Sequence, residues 1–308
     1  MSMTFKTQTM QEIVPLIEEQ LNISDSISFS VLNPDLGRGH AGEVVSINDE
    51  TYLHRGYKTW TDLAELLKCK MLTPKKDVYP MVTLTFETLT CEYDFHKDKK
   101  NEEKYGVNSH FFKINKMEEP AFFYYYNQAL DNVNIKTRHK ILNLGINRGD
   151  EFQMIKNKLN TKIYEQLNFT GIDHSRSAID YANNRFPEQN VHFYANDIND
   201  LATLKLGEFD LLISIGTLQS PSIEFKPFLM SLVQKHLKKN SALILGFPNS
   251  RWMGGEIIYG AKAPNYVMNE MSILFNDVIF AKKYLQQKKY RVTLTGKYYI
   301  FLTATKII

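Results

Sequence analysis

Two glycines after a short apolar segment are the first residues whose spacing suggests chemistry. Residues 140–150 read KILNLGINRGD, and the apolar residues before Gly145 predict a buried strand. Gly149 then precedes a pattern of apolar residues at helical spacing. A strand, a glycine turn and a helix let the backbone close on a ligand and direct the helix amides toward it. The segment therefore predicts a binding turn at the end of a strand.

Polar residues follow each of the next three predicted strands. Asp173 ends a strand over 168–173, and an acid at this position can accept hydrogen bonds from two ribose hydroxyls. The strand over 191–195 leads into Asp197 and Ile198, where a short carboxylate could meet an adenine amino group. A fully apolar strand over 209–215 then opens on the sequence GTLQ. The pattern favours a nucleoside-binding α/β domain.

Strands that alternate with helices along the chain are needed to position these residues. Helical patterns cover 152–159, 177–185, 227–237 and 274–287, and further strands cover 242–247, 290–295 and 298–306. The last two strands flank Gly296 and Lys297 and predict a hairpin. We therefore expect an α/β fold: a Rossmann-like sheet of seven strands with an antiparallel hairpin at its C-terminal end.

This half of the chain, residues 136–308, resembles the class I S-adenosylmethionine-dependent methyltransferases. The first motif of that family is an acid two residues before a G-x-G-x-G turn, and the corresponding residues here run from Asn143 to Gly149. The resemblance implies S-adenosylmethionine as the cofactor, and it implies a contact with the cofactor for each of the following residues: Asn143, Gly145, Asn147 and Gly149 at the methionine part, Asp173 and His174 at the ribose, Asp197 and Ile198 at the adenine, and Gly216 to Gln219 beside the sulfonium.

Two positions depart from the family motif. Asn143 replaces the acid, and Asn147 replaces the middle glycine. Asn143 can still accept a hydrogen bond from the cofactor's ammonium, but without a full charge. Asparagine tolerates a left-handed backbone better than other residues that carry a side chain. We therefore expect cofactor binding, and we keep open a cofactor-binding protein without activity and a doubly wound domain for another nucleotide.

The methyl acceptor is partly constrained by elimination. Methylation of cytosine carbon needs a cysteine near the fourth strand, but Cys69 and Cys91 lie far upstream of it. Methylation of an adenine amine usually shows N/D-P-P-Y/F after that strand, and this chain has GTLQSP. An O-, N- or S-nucleophile remains, on a small molecule, an RNA position or a protein side chain. A small molecule is our leading interpretation.

The segment over 248–264, PNSRWMGGEIIYGAKAP, follows the fifth strand and in this family commonly borders the acceptor. Arg251 could hold a carboxylate or phosphate, and Glu256 or Tyr259 could act as a base. Glu256 and Tyr259 could equally be ordinary surface and packing residues. The pair Gly254 and Gly255 would let the segment move as a lid.

The first 130 residues predict an accessory α+β region, followed by the cofactor-binding domain over 131–308. Helical spacing covers 10–21, a second helix is expected from Thr61, and alternation over 78–89 predicts a strand. Residues 122–130 predict an aromatic helix. The cationic and aromatic residues from His54 to Trp60 could contact RNA, which is our second candidate partner.

The length, composition and charge of the chain limit which of these hypotheses are reasonable. The chain has 308 residues, 43% hydrophobic and 23% charged, as is usual for a soluble protein. Residues 1–130 hold 14 basic and 19 acidic residues, so their charge is −5, and the rest hold 23 and 15, so their charge is +8. Two cysteines provide neither a disulfide framework nor a zinc site, so no metal is expected. Without a signal peptide or an apolar span, we predict a cytoplasmic protein with no membrane contact.

Overall fold

The computed structural model describes residues 3–37, 39–90, 105–260 and 271–307, which form two compact units. The first unit comprises Met1–Glu92 with Trp252–Ile258, and the second comprises Tyr93–Arg251 with Tyr259–Ile308. The domain boundary near residue 130 stays a prediction. The aromatic helix predicted before that boundary belongs to the second unit in the structure.

A seven-stranded sheet is the centre of the second unit. Its strands are β8 (Lys140–Leu144), β9 (Asn168–Asp173), β10 (Val191–Ala195), β11 (Phe209–Ile215), β12 (Leu237–Pro248), β15 (Tyr290–Gly296) and β16 (Tyr299–Lys306). Their spatial order is β10-β9-β8-β11-β12-β16-β15. The first five strands are parallel, whereas β16 pairs antiparallel with both β12 and β15. The predicted fold class is confirmed.

Helices cover both faces of this sheet. They are α3 (Pro120–Asn132), α4 (Asp150–Lys158), α5 (Thr161–Gln166), α6 (Arg176–Arg185), α7 (Phe225–Lys235) and α8 (Ser272–Gln287). Side chains alternate along β8, so Ile141 enters the core cluster with α3 and α4, whereas Leu142 and Leu144 enter the cluster with α7 and α8. By the same alternation, Asn143 lies on the α3 and α4 face.

The first unit is a smaller α+β arrangement. Its elements are β1 (Met3–Phe5), α1 (Met10–Leu21), β2 (Ser26–Leu32), β3 (Val44–Ile47), β4 (Glu50–Leu53), α2 (Tyr57–Leu66), β5 (Cys69–Met71), β6 (Lys75–Lys76) and β7 (Met81–Thr88). The main sheet has the order β1-β2-β7-β5, with β6 also on β7. Its core includes Phe29, Leu84 and Trp60.

Two local predictions about helix and loop boundaries are wrong. Helix α2 starts at Tyr57, and Thr61 lies inside it, where its hydroxyl donates to the carbonyl of Lys58 rather than capping the helix. The segment after β12 contains a hairpin of β13 (Ser250–Met253) and β14 (Glu256–Tyr259) instead of an open loop. Residues 261–264 of that predicted loop, like Cys91, lie outside the described residues.

In the described part of the chain, no group of three or more His, Cys, Asp or Glu side chains is arranged to hold a metal ion. The helices described there also lack the combination of length and apolar character that a membrane crossing requires.

Candidate functional site

The candidate site lies along the carboxyl ends of four neighbouring parallel strands. Asp173 ends β9, Gly145 follows β8, Gly216 follows β11, and Asp197 comes two residues after β10. Because the strand order is β10-β9-β8-β11, these residues follow one another along one sheet edge. The chain proceeds from β8 toward β10 on one side and from β11 toward β12 on the other. Such a reversal of strand order is where open α/β sheets bind ligands.

Both glycines of the turn have backbone angles that favour glycine. The φ angle is +77° at Gly145 and +82° at Gly149, which caps the N-terminus of α4. A Cβ atom on Gly145 would lie 1.9 Å from Thr217 Oγ1, and one on Gly149 would lie 2.6 Å from Phe186 Cε2. The missing side chains therefore let the turn approach the loop after β11 and the end of α6.

Asn147 is the second substituted position, and its backbone is also left-handed, with φ at +45°. Its backbone N–H donates to Asp173 Oδ2 at 2.9 Å, and its side-chain Nδ2 donates to the carbonyl of Tyr105 at 2.8 Å. The asparagine therefore keeps the backbone angle of the glycine it replaces. It also joins the turn both to the β9 carboxylate and to the segment at Tyr105.

Asp173 is 5% exposed and is held in a defined orientation. Its Oδ1 accepts from the backbone N–H of Ser175 at 3.0 Å, and the His174 Nδ1 atom lies 3.4 Å from the same oxygen. The ring of Tyr105 meets the ring of His174 edge-on, with 6.0 Å between centroids. Two backbone donors thus fix the carboxylate while it retains acceptor capacity.

Two buried side-chain atoms near these turns have no hydrogen-bond partner among the described residues. They are Nδ2 of Asn143, a residue that is 1% exposed, and Oε1 of Gln219 in the loop after β11. Buried polar atoms are rarely left unpaired, and an unpaired one points to a missing ligand or water. Both atoms belong to residues predicted to contact the cofactor.

The remaining predicted cofactor residues have less specific surroundings. Asp197 is exposed, and its Oδ1 caps the short 3₁₀ helix Ile198–Leu204 by accepting from the N–H of Asn199 at 2.8 Å. Ile198 is 7% exposed and belongs to the α7 and α8 core. Gly216 has φ at +75°, and a Cβ there would lie 3.9 Å from the hydroxyl oxygen of Tyr299.

A charged group that the sequence analysis missed lies on the Asn143 face of the sheet. Glu151, in the first turn of α4, is 7% exposed, and its backbone carbonyl accepts from the hydroxyl of Tyr126 at 3.4 Å. Burial raises the pKa of Glu151 to about 7, although the charge of Lys116 acts in the opposite direction. Burial lowers the pKa of Lys116, but attraction to Tyr299 and Glu151 outweighs it, so this pKa is raised.

Aromatic rings surround Lys116. Its ammonium lies 5.4 Å from the ring centroids of Phe111 and Tyr299 and 5.9 Å from that of Phe122. The rings of Phe122 and Tyr299 meet edge-on at 5.2 Å. No sequence signal could have identified this cluster, because its members come from α3, α4, β16 and two short 3₁₀ helices, Phe111–Lys113 and Lys116–Glu118. Of the acids in this region, the sequence motif showed only Asp150, which directly follows the glycine turn.

The three predicted catalytic residues lie on the β13–β14 hairpin. Arg251 donates from Nη1 to the carbonyl of Gly260 at 3.5 Å, and the hydroxyl of Tyr259 donates to Met271 Sδ at 3.1 Å. Glu256 is exposed and belongs to the first compact unit, whereas Arg251 and Tyr259 belong to the second. Their catalytic roles stay predictions.

The residues present fit the group that the sequence resemblance implies. The turn offers close backbone approach at Gly145, an oriented carboxylate at Asp173, and at Asn143 an amide nitrogen with no partner in the described part of the chain. These are the features that a nucleoside carrying an amino-acid tail requires.

Comparisons with known proteins agree with this arrangement. A family model described as "Methyltransferase domain" matches residues 135–293. The solved structure of the N-methyltransferase NodS from Bradyrhizobium japonicum is similar at 15% identity and a TM-score of 0.41, covering 62% of this chain and 99% of that chain. The plantazolicin methyltransferase BpumL, in complex with SAH, is similar at 12% identity and a TM-score of 0.42, covering 67% and 95%. No curated protein matches the sequence. At these scores the structural likenesses carry no further conclusion.

Proposed function

Because the chain belongs to the class I S-adenosylmethionine-dependent methyltransferases, with S-adenosylmethionine as its cofactor, we propose that it methylates an O-, N- or S-nucleophile of a small molecule. The observation that carries this proposal is the position of the Tyr299 side chain beside Gly216. A Cβ atom on Gly216 would lie 3.9 Å from the hydroxyl oxygen of Tyr299. The ring of Tyr299 in turn meets the ring of Phe122 edge-on and lies 5.4 Å from the Lys116 ammonium.

Aromatic side chains combined with a few polar groups are typical of the lining of small-molecule sites. The fourth strand ends at the Gly216 turn, and family resemblance assigns this turn to the neighbourhood of the sulfonium. We therefore propose that the acceptor binds beside Gly216 and Tyr299. Arg251, Glu256 and Tyr259 remain our proposed catalytic residues, with Arg251 holding an anionic group and either of the others accepting a proton.

The cofactor supplies a methyl group that is already activated by its sulfonium, so the protein mainly has to position the reactants. Asp173 would orient the ribose, because two backbone donors fix its carboxylate. Gly145 would allow close backbone approach at the methionine part. The aromatic rings of Phe122 and Tyr299 would exclude water from the acceptor.

The proposed cofactor site is tested by calorimetric titration of the full chain with S-adenosylmethionine and S-adenosylhomocysteine, together with an Asp173→Ala variant. We expect micromolar binding in the wild type and its loss in the variant, because a buried carboxylate that accepts ribose hydroxyls contributes charge-assisted hydrogen bonds. The matched control is Asp180→Ala, whose side chain is 62% exposed on α6. Unchanged affinity in Asp173→Ala would contradict the assignment.

A second candidate function has a specific observation in its favour. Because Asn143 replaces the motif's acid and its Nδ2 finds no partner among the residues that the structure describes, the chain could bind cofactor without transferring the methyl group. Cofactor binding without turnover of any acceptor would support this alternative. RNA methylation and a cytoplasmic location also stay predictions.

A further inference from the structure

Asn143 occupies the position at which the family motif has an acid. The cofactor's amino-acid end therefore lacks the acidic group that the motif normally provides. Asn143 is 1% exposed, and its Nδ2 donor is unpaired among the described residues. An amide nitrogen is a donor and suits a carboxylate better than an ammonium. A ligand that carries both charges therefore needs another acidic group near this position.

Glu151 is an acid on the same face of the sheet. It is the second residue of helix α4, two residues after Gly149, and it is 7% exposed. Its neighbour Asp150 is already neutralised, because Arg185 Nη1 lies 2.6 Å and Arg148 Nε 3.3 Å from Asp150 Oδ1. The strongest charge acting on Glu151 is that of Lys116.

A chain of contacts connects Lys116 to the glycine turn. The Lys116 ammonium lies 5.4 Å from the centroid of the Tyr299 ring. The Tyr299 hydroxyl lies 3.9 Å from the position a Cβ would take on Gly216, and Thr217 lies directly against Gly145. Lys116 is thus linked to the motif through Tyr299 and the Gly216 turn, whereas Glu151 follows the motif directly in α4.

We infer that Glu151 and Lys116 bind the amino-acid end of the cofactor, Glu151 at the ammonium and Lys116 at the carboxylate, in place of the acid missing at Asn143. Two opposite charges in a poorly solvated region complement a zwitterion, and buried charges require such partners. The Asn143 amide then donates to the same carboxylate as Lys116. This inference rests on the proposed cofactor site, but it concerns only one end of the ligand.

The test compares two ligands that differ at that end. S-adenosylhomocysteine carries the amino-acid group, whereas methylthioadenosine shares the nucleoside and lacks it. Calorimetric titration of the full chain is performed for wild type, Glu151→Gln and Lys116→Met. We expect the affinity for S-adenosylhomocysteine to fall about tenfold or more in each variant, as loss of a charge-assisted hydrogen bond implies. The affinity for methylthioadenosine should stay within about twofold, since that ligand never meets either charge.

Two controls match the tested substitutions. Lys113→Met and Glu118→Gln remove the same types of charge at exposed positions close to Lys116, and both should bind like the wild type. A rescue variant combines Glu151→Gln with Asn143→Asp, which returns an acid to the motif. We expect this pair to regain much of the lost affinity for S-adenosylhomocysteine.

The outcomes separate this inference from the proposed function. An equal loss of affinity for both ligands would mean that Glu151 and Lys116 act on the fold, and unchanged affinity for S-adenosylhomocysteine would mean that they do not contact it. Either result overturns the inference. Failure of the wild type to bind either ligand would instead overturn the cofactor site itself. Retained methylthioadenosine binding reports that each variant is folded.

Discussion

At the scale of single residues, Glu151 is a carboxyl group whose charge state changes near neutral pH. Burial raises its pKa from 4.5 to about 7 in the folded protein. The folded state therefore holds a proton that the unfolded state has released between these two pH values. The charged and titratable groups acting on it are Lys116 from the 3₁₀ helix, its neighbour Asp150, Arg185 from α6 and Tyr126 from α3.

This shift has a definite sign for stability. A raised acidic pKa contributes stability that is present at low pH and is lost as the pH rises through about 7. Glu151→Gln lacks this titrating group. From acidic to alkaline pH, the free energy of unfolding of the wild type should therefore fall relative to that of the variant. Urea unfolding of both proteins on either side of neutrality measures the difference. A difference that stays constant with pH would contradict the raised pKa.

At the scale of elements, one carboxylate ties the amino ends of two central strands together. Asp210 of β11 is 7% exposed, and its Oδ1 accepts from the backbone N–H groups of His139 at 3.0 Å and Lys140 at 2.9 Å. Lys238 lies 3.6 Å from its other oxygen. These contacts hold β8 against β11 at the edge opposite the glycine turn.

Removing this carboxylate should cost stability without affecting the cofactor site. We expect Asp210→Ala to lower the free energy of unfolding by about 2–4 kcal/mol, because it leaves buried donors unpaired. Denaturant unfolding measures the loss. The control Asp131→Ala removes a carboxylate that is 62% exposed and paired with Lys158, and it should cost less than about 1 kcal/mol. Equal losses in the two variants would contradict the argument.

Strand positions could be predicted from the sequence more accurately than helix starts and turns. The bounds of β9 and β11 follow from buried runs between turn residues, so β9 ends at Asp173 as predicted. The start of α2 was missed because Thr61 is a good capping residue, whereas the helix begins after Gly56, which offers no side chain. Gly254 and Gly255 indicated a mobile loop, but both have positive φ and form the two-residue turn of the β13–β14 hairpin.

The residues of the candidate site also fall into a group that could be predicted from the sequence and a group that could not. The resemblance identified residues at strand ends, because those positions are set by a local motif. Lys116 and Tyr299 could not be found, since 183 residues separate them and only the packing of β16 against the helices brings them together. Their relation to Glu151 is a property of the tertiary structure.

At the scale of the whole molecule, the uneven charge distribution does not by itself favour RNA. Three residues of the cluster that motivated RNA contact are buried: His54 is 4%, Arg55 5% and Trp60 1% exposed. Arg55 donates from Nη2 to the carbonyl of Gln8 at 2.5 Å and lies 5.6 Å from the Trp60 ring. These side chains are engaged in packing within the first unit and are poorly placed for stacking on bases.

We therefore expect no saturable micromolar binding of single-stranded RNA at about 0.15 M salt, where exposed charges are largely screened. Fluorescence anisotropy with a labelled oligonucleotide measures this. The same titration at low salt is the control, because weak non-specific attraction should appear there. Tight binding that falls steeply with salt would contradict the expectation and favour an RNA acceptor.

The burial of Trp60 has a further consequence, for spectroscopy. The chain has two tryptophans, Trp60 and Trp252, and both belong to the first compact unit. The second unit, which carries the glycine turn, absorbs only through its tyrosines and phenylalanines. Tryptophan emission is therefore an intrinsic reporter of the first unit alone. The emission of Trp60 should move to longer wavelength when its apolar surroundings in the first unit are lost.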